Sequence, residues 1–147
     1  MPPCGDDQQD VAASLSGVLE PWSVAHEEFV VGANEAGMIL GGEVRAADAA
    51  VWLRASAGPR TGGYRRTPPV LAVEIAGRDD EEAALRAKAR WYLDRGVQLV
   101  WLVWPAARRV VVLDREGEAE FGVDDTISPR AELPDLAIDV ARLFRQL

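Results

Sequence analysis

Two nearly all-apolar segments, separated by one helix-length stretch, constrain the fold of this 147-residue chain more than any other feature. The segments PVLAVEIA (69–76) and VQLVWLVW (97–104) have the length and composition of strands buried on both faces. Between them, residues 78–96 begin with acids, continue with bases and end at Gly96, in the order that the helix dipole favours. A buried strand, a helix and a second buried strand form a parallel crossover unit. The sequence therefore predicts an α/β fold.

The segments outside this unit are expected to complete a mixed β-sheet flanked by helices. Residues 1–9 are predicted to be a disordered tail, and residues 10–147 a single domain. The further elements predicted, in chain order, are a helix from Asp10 that ends before Pro21, two short strands within 27–40 with a turn near Asn34 and Glu35, a strand over 43–53, a hairpin of 110–114 and 118–123, and a closing amphipathic helix over 133–147. Because the earlier strands would pair antiparallel, the sheet is expected to be mixed.

Composition excludes several classes of protein. The single cysteine, Cys4, rules out an intramolecular disulfide and a cysteine-based metal cluster, and the single histidine, His26, rules out a multi-histidine site. The most apolar stretch, 97–105, is much shorter than the roughly 18 residues that span a bilayer, so no membrane segment is expected. The N-terminus carries acid and leads no long apolar run, so we expect no secretion signal there and a reducing, cytoplasmic setting.

Charge is distributed unevenly along the chain. The formal net charge is −8, and residues 1–53 hold nine acids and one arginine. The segment RASAGPRTGGYRR (54–66), by contrast, has no acid and is predicted to be a mobile basic loop between two strands. Its candidate phosphate-binding side chains are Arg54, Arg60, Arg65 and Arg66. The alternative is a loop whose arginines are merely solvated.

Two carboxylates occupy strand positions that packing alone does not explain. Glu74 lies inside a central apolar strand, where an ionised carboxylate is costly unless it is paired or bound to a metal. Asp48 lies among alanines on the strand 43–53. Two carboxylates converging from adjacent strands would suit a hard cation such as magnesium. The structural alternatives are a strand-end glutamate bonded to a neighbouring arginine and an exposed strand aspartate.

Lys88 is the only lysine in the chain, beside fifteen arginines. Lysine differs from arginine in being a compact cation with a tunable pKa. On a helical wheel Lys88 falls on the apolar stripe with Leu85 and Tyr92, facing the sheet. About 15 Å of helix would bring its ammonium group back beside Glu74. The alternative is a lysine that buries its stem and extends its charge to solvent.

These residues, taken in order, resemble a known family. An aspartate on a small-residue strand, Glu74 in PPVLAVEIAG (68–77), and KARWYLDRGVQLVWLVWP (88–105) are similar to the Uma-two family of restriction-endonuclease-like proteins, within the PD-(D/E)XK nuclease superfamily. The segments 35–52 and 133–144 resemble the opening strands and closing segment of that family, so the resemblance covers about residues 20–145.

The resemblance implies a metal-dependent nuclease fold, in which Asp48 matches the first acidic position and Glu74 the second. The superfamily's usual lysine falls on Ala76, and Lys88 takes the place of a relocated lysine. A magnesium or manganese ion would be held by Asp48, Glu74 and the main-chain carbonyl of Ile75. The family's N-terminal helix often adds an acidic residue. The candidates for that role are Glu20, Glu27 and Glu28.

We therefore expect a magnesium-dependent endonuclease that acts on DNA, with Asp48, Glu74 and Lys88 as catalytic residues. Ala47 departs from the family's proline, and Gly77 and Arg78 from its usual serine and proline, so the alternative is a nuclease-fold binding or regulatory module that no longer cuts. A homodimer is also predicted, because Trp101 and Trp104 lie on one short strand and the apolar hairpin 110–123 needs covering.

Overall fold

The fold is built on a mixed six-stranded sheet with helices on both faces; the structure is a computed structural model and describes residues 3–147. The elements are α1 (Asp6–Ala25), β1 (Phe29–Leu40), β2 (Glu43–Leu53), α2 (Arg54–Ala57), β3 (Leu71–Ile75), α3 (Glu82–Asp94), β4 (Leu99–Trp104), β5 (Arg109–Leu113), β6 (Glu118–Phe121), β7 (Thr126–Ile127), β8 (Ile138–Asp139) and α4 (Val140–Leu143). The strand order is β1-β2-β3-β4-β5-β6, and β7 and β8 form a separate two-stranded sheet.

The predicted crossover unit is confirmed at the centre of the sheet. Strands β3 and β4 pair in parallel, from Leu71 opposite Leu99 to Ile75 opposite Val103, whereas the other neighbouring strands pair antiparallel. Every residue of β3 and β4 is buried, which agrees with their nearly all-apolar sequences. The predicted mixed sheet and the hairpin of β5 and β6 are therefore confirmed.

Two hydrophobic cores cover the two faces of the sheet. On one face, α1 and the C-terminal segment pack against alternate residues of the central strands, including Val73 and Trp101. On the other face, α3 packs through Leu85, Ala89 and Tyr92 against the intervening strand residues. This division places the side chain of Glu74, which alternates with Val73, on the α3 face.

Helix α1 corrects two predictions. It begins at Asp6, so the prediction of a disordered tail is wrong for residues 6–9, while residues 1 and 2 lie outside the described part of the chain. Asp6 and Asp7 stand in its first turn, where acids favour the helix dipole. The helix also continues through Pro21 instead of ending before it. Proline leaves the carbonyl of Gly17 without its helical donor, and the Arg142 side chain donates to that carbonyl over 3.4 Å.

Strand β1 is one continuous strand, and the predicted turn near residues 34 and 35 is a bulge within it. Asn34 and Glu35 have φ values of 59° and 58°, and the pairing with β2 shifts between Ala33 and Ala36. The bulge bends the strand sharply. A Cβ on Gly32 would lie only 3.4 Å from the Cβ of Ala36, whereas residues four apart on a straight strand are separated by about 13 Å.

Because of this bend, the outer half of the β1–β2 hairpin folds back onto α3. Glu43, at the start of β2, accepts hydrogen bonds from Trp91 (3.2 Å) and Arg95 (2.5 Å) near the end of that helix. The residue opposite the bulge on β2 is Asp48, because the register pairs Ala33 with Ala49 and Ala36 with Ala47. The bend therefore places Asp48 at a corner of the sheet.

The predicted closing helix is wrong in extent. Within 133–147 the structure has strand β8 and the four-residue helix α4. Pro134 and the positive φ of Asp135 (63°) prevent an earlier start of α4, and Val140 N–H donates to the carbonyl of Asp125 over 3.1 Å.

The helix predicted over 78–96 is confirmed with shorter bounds, and Gly96, with a φ of 96°, follows its end. Across residues 3–147, no helix combines the length and apolar character that crossing a membrane requires.

Candidate functional site

Asp48 and Glu74 come together where the pairing of β2 and β3 ends. The ladder runs from Val51 opposite Leu71 to Ala49 opposite Val73 and stops before the next pair, which would be Asp48 and Glu74. Instead, Asp48 Oδ2 accepts a hydrogen bond of 2.6 Å from the main-chain N–H of Ile75. The aspartate side chain thus replaces the next main-chain acceptor at the point where the two strands separate.

Glu74 is buried, with 5% of its surface exposed, and its carboxylate faces α3. Its Oε1 accepts a hydrogen bond of 2.7 Å from the Tyr92 hydroxyl, and its Oε2 accepts one of 3.3 Å from the Lys88 ammonium group. The alternative of an arginine partner is therefore wrong: the partners are a phenol and the only lysine. Lys88 and Tyr92 are four residues apart on α3, so both side chains reach the same carboxylate.

Lys88 lies at the edge of the buried stripe of α3, not within it. Its side chain is 51% exposed, whereas that of Glu74 is 7% exposed. The sequence interpretation placed Lys88 on the sheet-facing stripe, and the structure corrects this: only the ammonium group turns back towards the sheet. The ammonium group contacts Glu74, and about half of the Lys88 side-chain surface is open to solvent.

The two carboxylates share a site that disfavours their charged forms. Burial raises the pKa of Glu74 to about 7, although the positive charge of Lys88 and the Tyr92 hydrogen bond act in the opposite direction. Burial also raises the pKa of Asp48; the Ile75 N–H and Lys88 oppose this rise, and the charges of Asp80 and Glu35 add to it. A bound cation would offset this accumulated negative charge.

The Ile75 carbonyl, the third predicted metal ligand, has a partner that the sequence did not reveal. Gln8 of α1 donates from Nε2 to the Ile75 oxygen over 2.9 Å. Gln8 had been assigned to a disordered tail, yet it precedes Val11, Leu15 and Leu19 at helical spacing, and these three residues are buried against the sheet. Extending this buried stripe by one turn towards the N-terminus predicts that Gln8 lies on the helix and faces the sheet.

The acidic residues expected to supplement the site from the N-terminal region do not reach it. Glu20 lies twelve residues after Gln8 on α1, about 18 Å along the helix. The carbonyls of Glu27 and Glu28 accept hydrogen bonds from Arg54, at the far end of β2. All three assignments are wrong. The acids whose charge acts on Asp48 are Glu35, in the β1 bulge, and Asp80, whose Oδ2 accepts a 2.8 Å hydrogen bond from Gly77 N–H.

The donor set suits a hard cation that retains several waters. Within residues 3–147, no group of three or more histidine, cysteine, aspartate or glutamate side chains could hold a metal ion. The candidate centre has two carboxylates and one main-chain carbonyl, all oxygen donors. Magnesium is commonly bound through one or two carboxylates together with water and substrate phosphate. Asp48, Glu74 and Ile75 therefore fit such an ion in the chemistry of their atoms.

The four loop arginines lie in a second region, which we call the arginine loop (residues 54–66). Residues 54–57 form the helical turn α2, and Arg54 donates to the carbonyls of Glu27 and Phe29. Arg65 lies over the Trp52 ring, 5.0 Å from its centroid, while Arg60 and Arg66 are exposed. Among the described residues, none of the four forms an ion pair with a carboxylate.

The arginine loop is attached to the same hairpin that carries Asp48. Arg65 N–H donates to the Gly37 carbonyl (3.2 Å), and Ile39 N–H donates to the Arg65 carbonyl (2.8 Å), so Arg65 extends the outer edge of β1. Burial lowers the pKa of Arg65, and the charges of Arg60 and Arg54 lower it further. The structure thus gathers positive charge beside the hairpin, without direct hydrogen bonds from these arginines to Asp48 or Glu74.

The tryptophans on which the dimer prediction rests are buried within one copy of the chain. Trp101 is 2% exposed and Trp104 is 8% exposed, and the Arg109 guanidinium lies over the Trp104 ring at 4.2 Å. The hairpin residues Val110 and Val112 are buried as well. These residues offer no apolar surface to a partner.

Comparisons with known proteins agree with the fold. The family model that matches the chain, over residues 1–141, is Uma2, described as "Putative restriction endonuclease". A solved structure, "a putative nuclease belonging to DUF820 from Anabaena variabilis ATCC 29413", superposes with a TM-score of 0.85 at 16% identity. That match covers 98% of this chain and 83% of the other. No curated protein sequence matches the chain.

Proposed function

The chain belongs to the Uma2 family of restriction-endonuclease-like proteins, and from this premise we propose that it is a metal-dependent endonuclease that hydrolyses phosphodiester bonds in DNA. One observation carries the proposal: Asp48 and Glu74 lie together at the point where β2 and β3 separate, and the only lysine, Lys88, contacts Glu74. The nuclease fold of the solved relative supports the same reading.

Asp48, Glu74 and the Ile75 carbonyl would hold a magnesium or manganese ion. When bound, that ion supplies charge stabilisation for the scissile phosphate and activates a water for attack. The protein's own contribution is to fix the ligands: Ile75 N–H holds one oxygen of Asp48, and the Tyr92 hydroxyl holds one oxygen of Glu74. Burial raises the pKa of Tyr92, which keeps its hydroxyl a hydrogen-bond donor.

Lys88 is proposed as the catalytic cation. Its ammonium group contacts Glu74 on one side and has a half-exposed side chain, so it can also reach a phosphate oxygen or an attacking water. Preorganised charge of this kind stabilises the negative charge that develops on the phosphate. The arginines of the arginine loop would contact the DNA backbone outside the cleavage site, which makes binding sensitive to salt.

The second candidate is a nuclease-fold module that binds DNA without cutting it. It is favoured because donors of the protein itself already hydrogen-bond the oxygen atoms of the site. Gln8 donates to the Ile75 carbonyl, and Tyr92 and Lys88 donate to Glu74. Ala76 also stands where the superfamily usually has its lysine. This candidate requires the arginine loop but not the carboxylates.

A paired measurement of metal binding and cleavage tests the proposal. Magnesium or manganese should raise the thermal midpoint of the wild-type protein, because a ligand that binds only the folded state stabilises it. The variant Asp48→Ala/Glu74→Ala should fold but lose that gain. A matched control is Glu118→Ala/Glu120→Ala, which removes two carboxylates from β6, a strand on the opposite edge of the sheet from β1; it should keep the gain.

Cleavage of supercoiled, linear and single-stranded DNA with manganese separates the two candidates. The nuclease predicts cutting that disappears in the Asp48→Ala/Glu74→Ala variant. Metal stabilisation that is equal in the wild type and this variant would overturn the site. Metal binding without cutting of any DNA would favour the second candidate.

Two further expectations stay predictions. Homodimerisation lacks its original basis, since Trp101 and Trp104 are buried, and sedimentation at tens of micromolar tests it against the 16.0 kDa of one chain. A reducing, cytoplasmic setting is proposed from the single cysteine, Cys4, which is free and exposed.

A further inference from the structure

Tyr64 is an aromatic side chain held open to solvent inside the arginine loop. Its exposed fraction is 56%, whereas the described tryptophans near the sheet are buried or lie beneath arginines. Exposed aromatic rings among arginines are the feature by which proteins bind single-stranded nucleic acid. Neither the catalytic site nor the fold makes use of this ring's open face.

One edge of the Tyr64 ring lies close to the main chain of β1. A Cβ built on Gly37 would lie 2.5 Å from Cδ1 and 2.9 Å from Cε1 of Tyr64, so only glycine allows the ring to approach this closely. The two hydrogen bonds of Arg65 with Gly37 and Ile39 fix the residue next to it. The ring is therefore held in a defined position while Tyr64 remains 56% exposed.

The surroundings of the ring are positively charged and concave. The loop residues 56–67 enclose a hollow of about 400 Å³, within the range of small-ligand pockets. Tyr64 and Arg66 flank Arg65 in the sequence and are both exposed, whereas Arg65 lies over the Trp52 ring. No carboxylate within the described residues pairs with Arg66. A base stacked on the ring would thus have its phosphate beside an unpaired guanidinium group.

The ring also lies on the same hairpin as the carboxylate site. Gly37 pairs with Ala46, which is two residues from Asp48, or about 7 Å along β2. A nucleotide strand that crosses the hairpin would contact the ring and the carboxylates at neighbouring positions.

We infer that Tyr64 is a stacking platform for an unpaired base, and that the strand this protein binds beside its carboxylate site is single-stranded DNA. The inference rests on the proposed nuclease function for the identity of the substrate. Duplex DNA keeps its bases stacked on each other and offers only its backbone to the arginines, whereas an unpaired strand can place one base on Tyr64 and its phosphates on the arginines.

Binding of a fluorescent twelve-residue oligothymidylate, measured by anisotropy with a metal chelator present, tests the inference without cleavage. The wild type should bind this strand more tightly than a duplex with the same number of phosphates. Tyr64→Ala should raise the dissociation constant for the strand by about 5- to 100-fold, the range found when a base-stacking ring is removed. Tyr64→Phe should stay within about 2-fold of wild type, because it keeps the ring.

Two controls separate stacking from charge and from folding. On an oligonucleotide of the same length made of abasic residues, Tyr64→Ala should bind as the wild type does, while Arg66→Ala should weaken binding to both strands. Val44→Ala shortens another exposed side chain of the β1–β2 hairpin (50% exposed) and should leave binding to both strands unchanged. Thermal midpoints of all four variants should match the wild type.

The inference is overturned if Tyr64→Ala binds oligothymidylate as tightly as the wild type, or if its loss is equally large on the abasic strand. These outcomes are independent of the nuclease proposal. Binding is measured in the chelator, so the absence of cleavage by the wild type would count against the nuclease while leaving the stacking result intact.

Discussion

The chain uses arginine in two opposite ways on two parts of its surface. On the flank formed by α3, β5 and β6, which we call the paired flank (Glu82, Arg86, Arg109, Glu118 and Glu120), each guanidinium group has a carboxylate partner. Arg86 lies 2.6 Å from Glu118, and Arg109 contacts both Glu82 and Glu120. In the arginine loop, no described carboxylate pairs with an arginine, and the partners are carbonyls and a tryptophan ring.

The difference shows which charges are available to a ligand. The hydrogen bond that Arg86 donates to Glu118 raises the pKa of Arg86, so the folded protein already stabilises that charge. Burial and the neighbouring charges of Arg60 and Arg54 lower the pKa of Arg65, so the fold leaves positive charge uncompensated there. Asp48 and Glu74 are the acidic counterpart: burial raises the pKa of both, although Lys88 pairs with Glu74. Uncompensated charge of either sign is where a ligand can add the missing partner.

The largest expected effect comes from Lys88, a cation that is paired and yet lies in the candidate site. Lys88→Arg should reduce manganese-dependent cleavage by about 100-fold or more, since the planar guanidinium group cannot take the position of the compact ammonium group. Lys88→Met should be equally inactive. The thermal midpoint should change little in either variant, because the side chain is half exposed. Cleavage rate and thermal midpoint are measured together.

A reciprocal exchange on the paired flank is the matched control for Lys88. Arg86→Lys should keep wild-type cleavage, because Arg86 is remote in function from the carboxylate site. A fully active Lys88→Arg enzyme would overturn the catalytic assignment, and unfolding of both Lys88 variants would show that the residue is structural.

The next largest effect should separate the two arginine surfaces directly. Arg60→Ala/Arg66→Ala should weaken DNA binding about tenfold and reduce the slope of log affinity against log salt by about 1 to 2, as expected when phosphate contacts are lost. Arg86→Ala/Arg109→Ala removes two charges as well, but from the paired flank, and should leave the slope unchanged. An equal decrease in both variants would mean that DNA responds to net charge and not to the loop.

The free energy of unfolding should depend on the arginines of the paired flank more than on those of the arginine loop, and the changes should be small. Arg109→Ala loses ion pairs with Glu82 and Glu120 and its position over Trp104, and should destabilise the fold by about 1 kcal/mol. Arg60→Ala, in the loop, should stay within about 0.5 kcal/mol of wild type. Urea unfolding of the two variants measures this difference. A larger loss from Arg60 than from Arg109 would contradict the assignment of structural and free arginines.

The smallest effect concerns His26, which pairs with Asp135. Its Nε2–H donates a 3.0 Å hydrogen bond to Asp135 Oδ2, and this contact raises the pKa of His26 above its usual value. A raised folded-state pKa stabilises the protein below the unfolded-state pKa, and that stabilisation is lost as pH rises through the folded-state value. Asp135→Asn keeps a residue that tolerates the positive φ at this position. Its thermal midpoint should lie below that of wild type at pH 5 and approach it above pH 8; a constant difference would contradict the charge pairing.

The sequence revealed the parts of the fold that local pattern determines. The strands β3 and β4 and the helix α3 were predicted because burial on both faces and helix-dipole order are visible in the residues themselves. The sequence also indicates the candidate site residues. Asp48 and Glu74 are carboxylates on strands of small or apolar residues, and Lys88 is the only lysine of the chain. The geometry that joins them, with Lys88 3.3 Å from Glu74, agrees with that expectation.

What the sequence did not reveal depends on contacts between distant residues. Gln8 contacts a carbonyl 67 residues away; the helical spacing of α1 indicates which face Gln8 lies on, but not that partner. Tyr64 owes its position to Gly37 on another strand. The closing segment is amphipathic, yet pairing of β8 with β7 overrides its helical preference. Glu20, Glu27 and Glu28 are candidates because the resemblance implies an acidic residue from the N-terminal helix, and the sequence does not show where the bent hairpin lies.

The hydrogen bond from Gln8 to Ile75 affects how many segments of the chain must fold before the candidate site is complete. It joins the first helix to the central strand, while Asp48 and Lys88 come from two further elements, so the site draws on four segments of chain. Contacts between residues this far apart are slow to form, since chain entropy must be lost before they are made. The candidate site, with Gln8 on the Ile75 carbonyl, is complete only when α1, β2, β3 and α3 have all assembled. A partly folded chain therefore lacks part of this site.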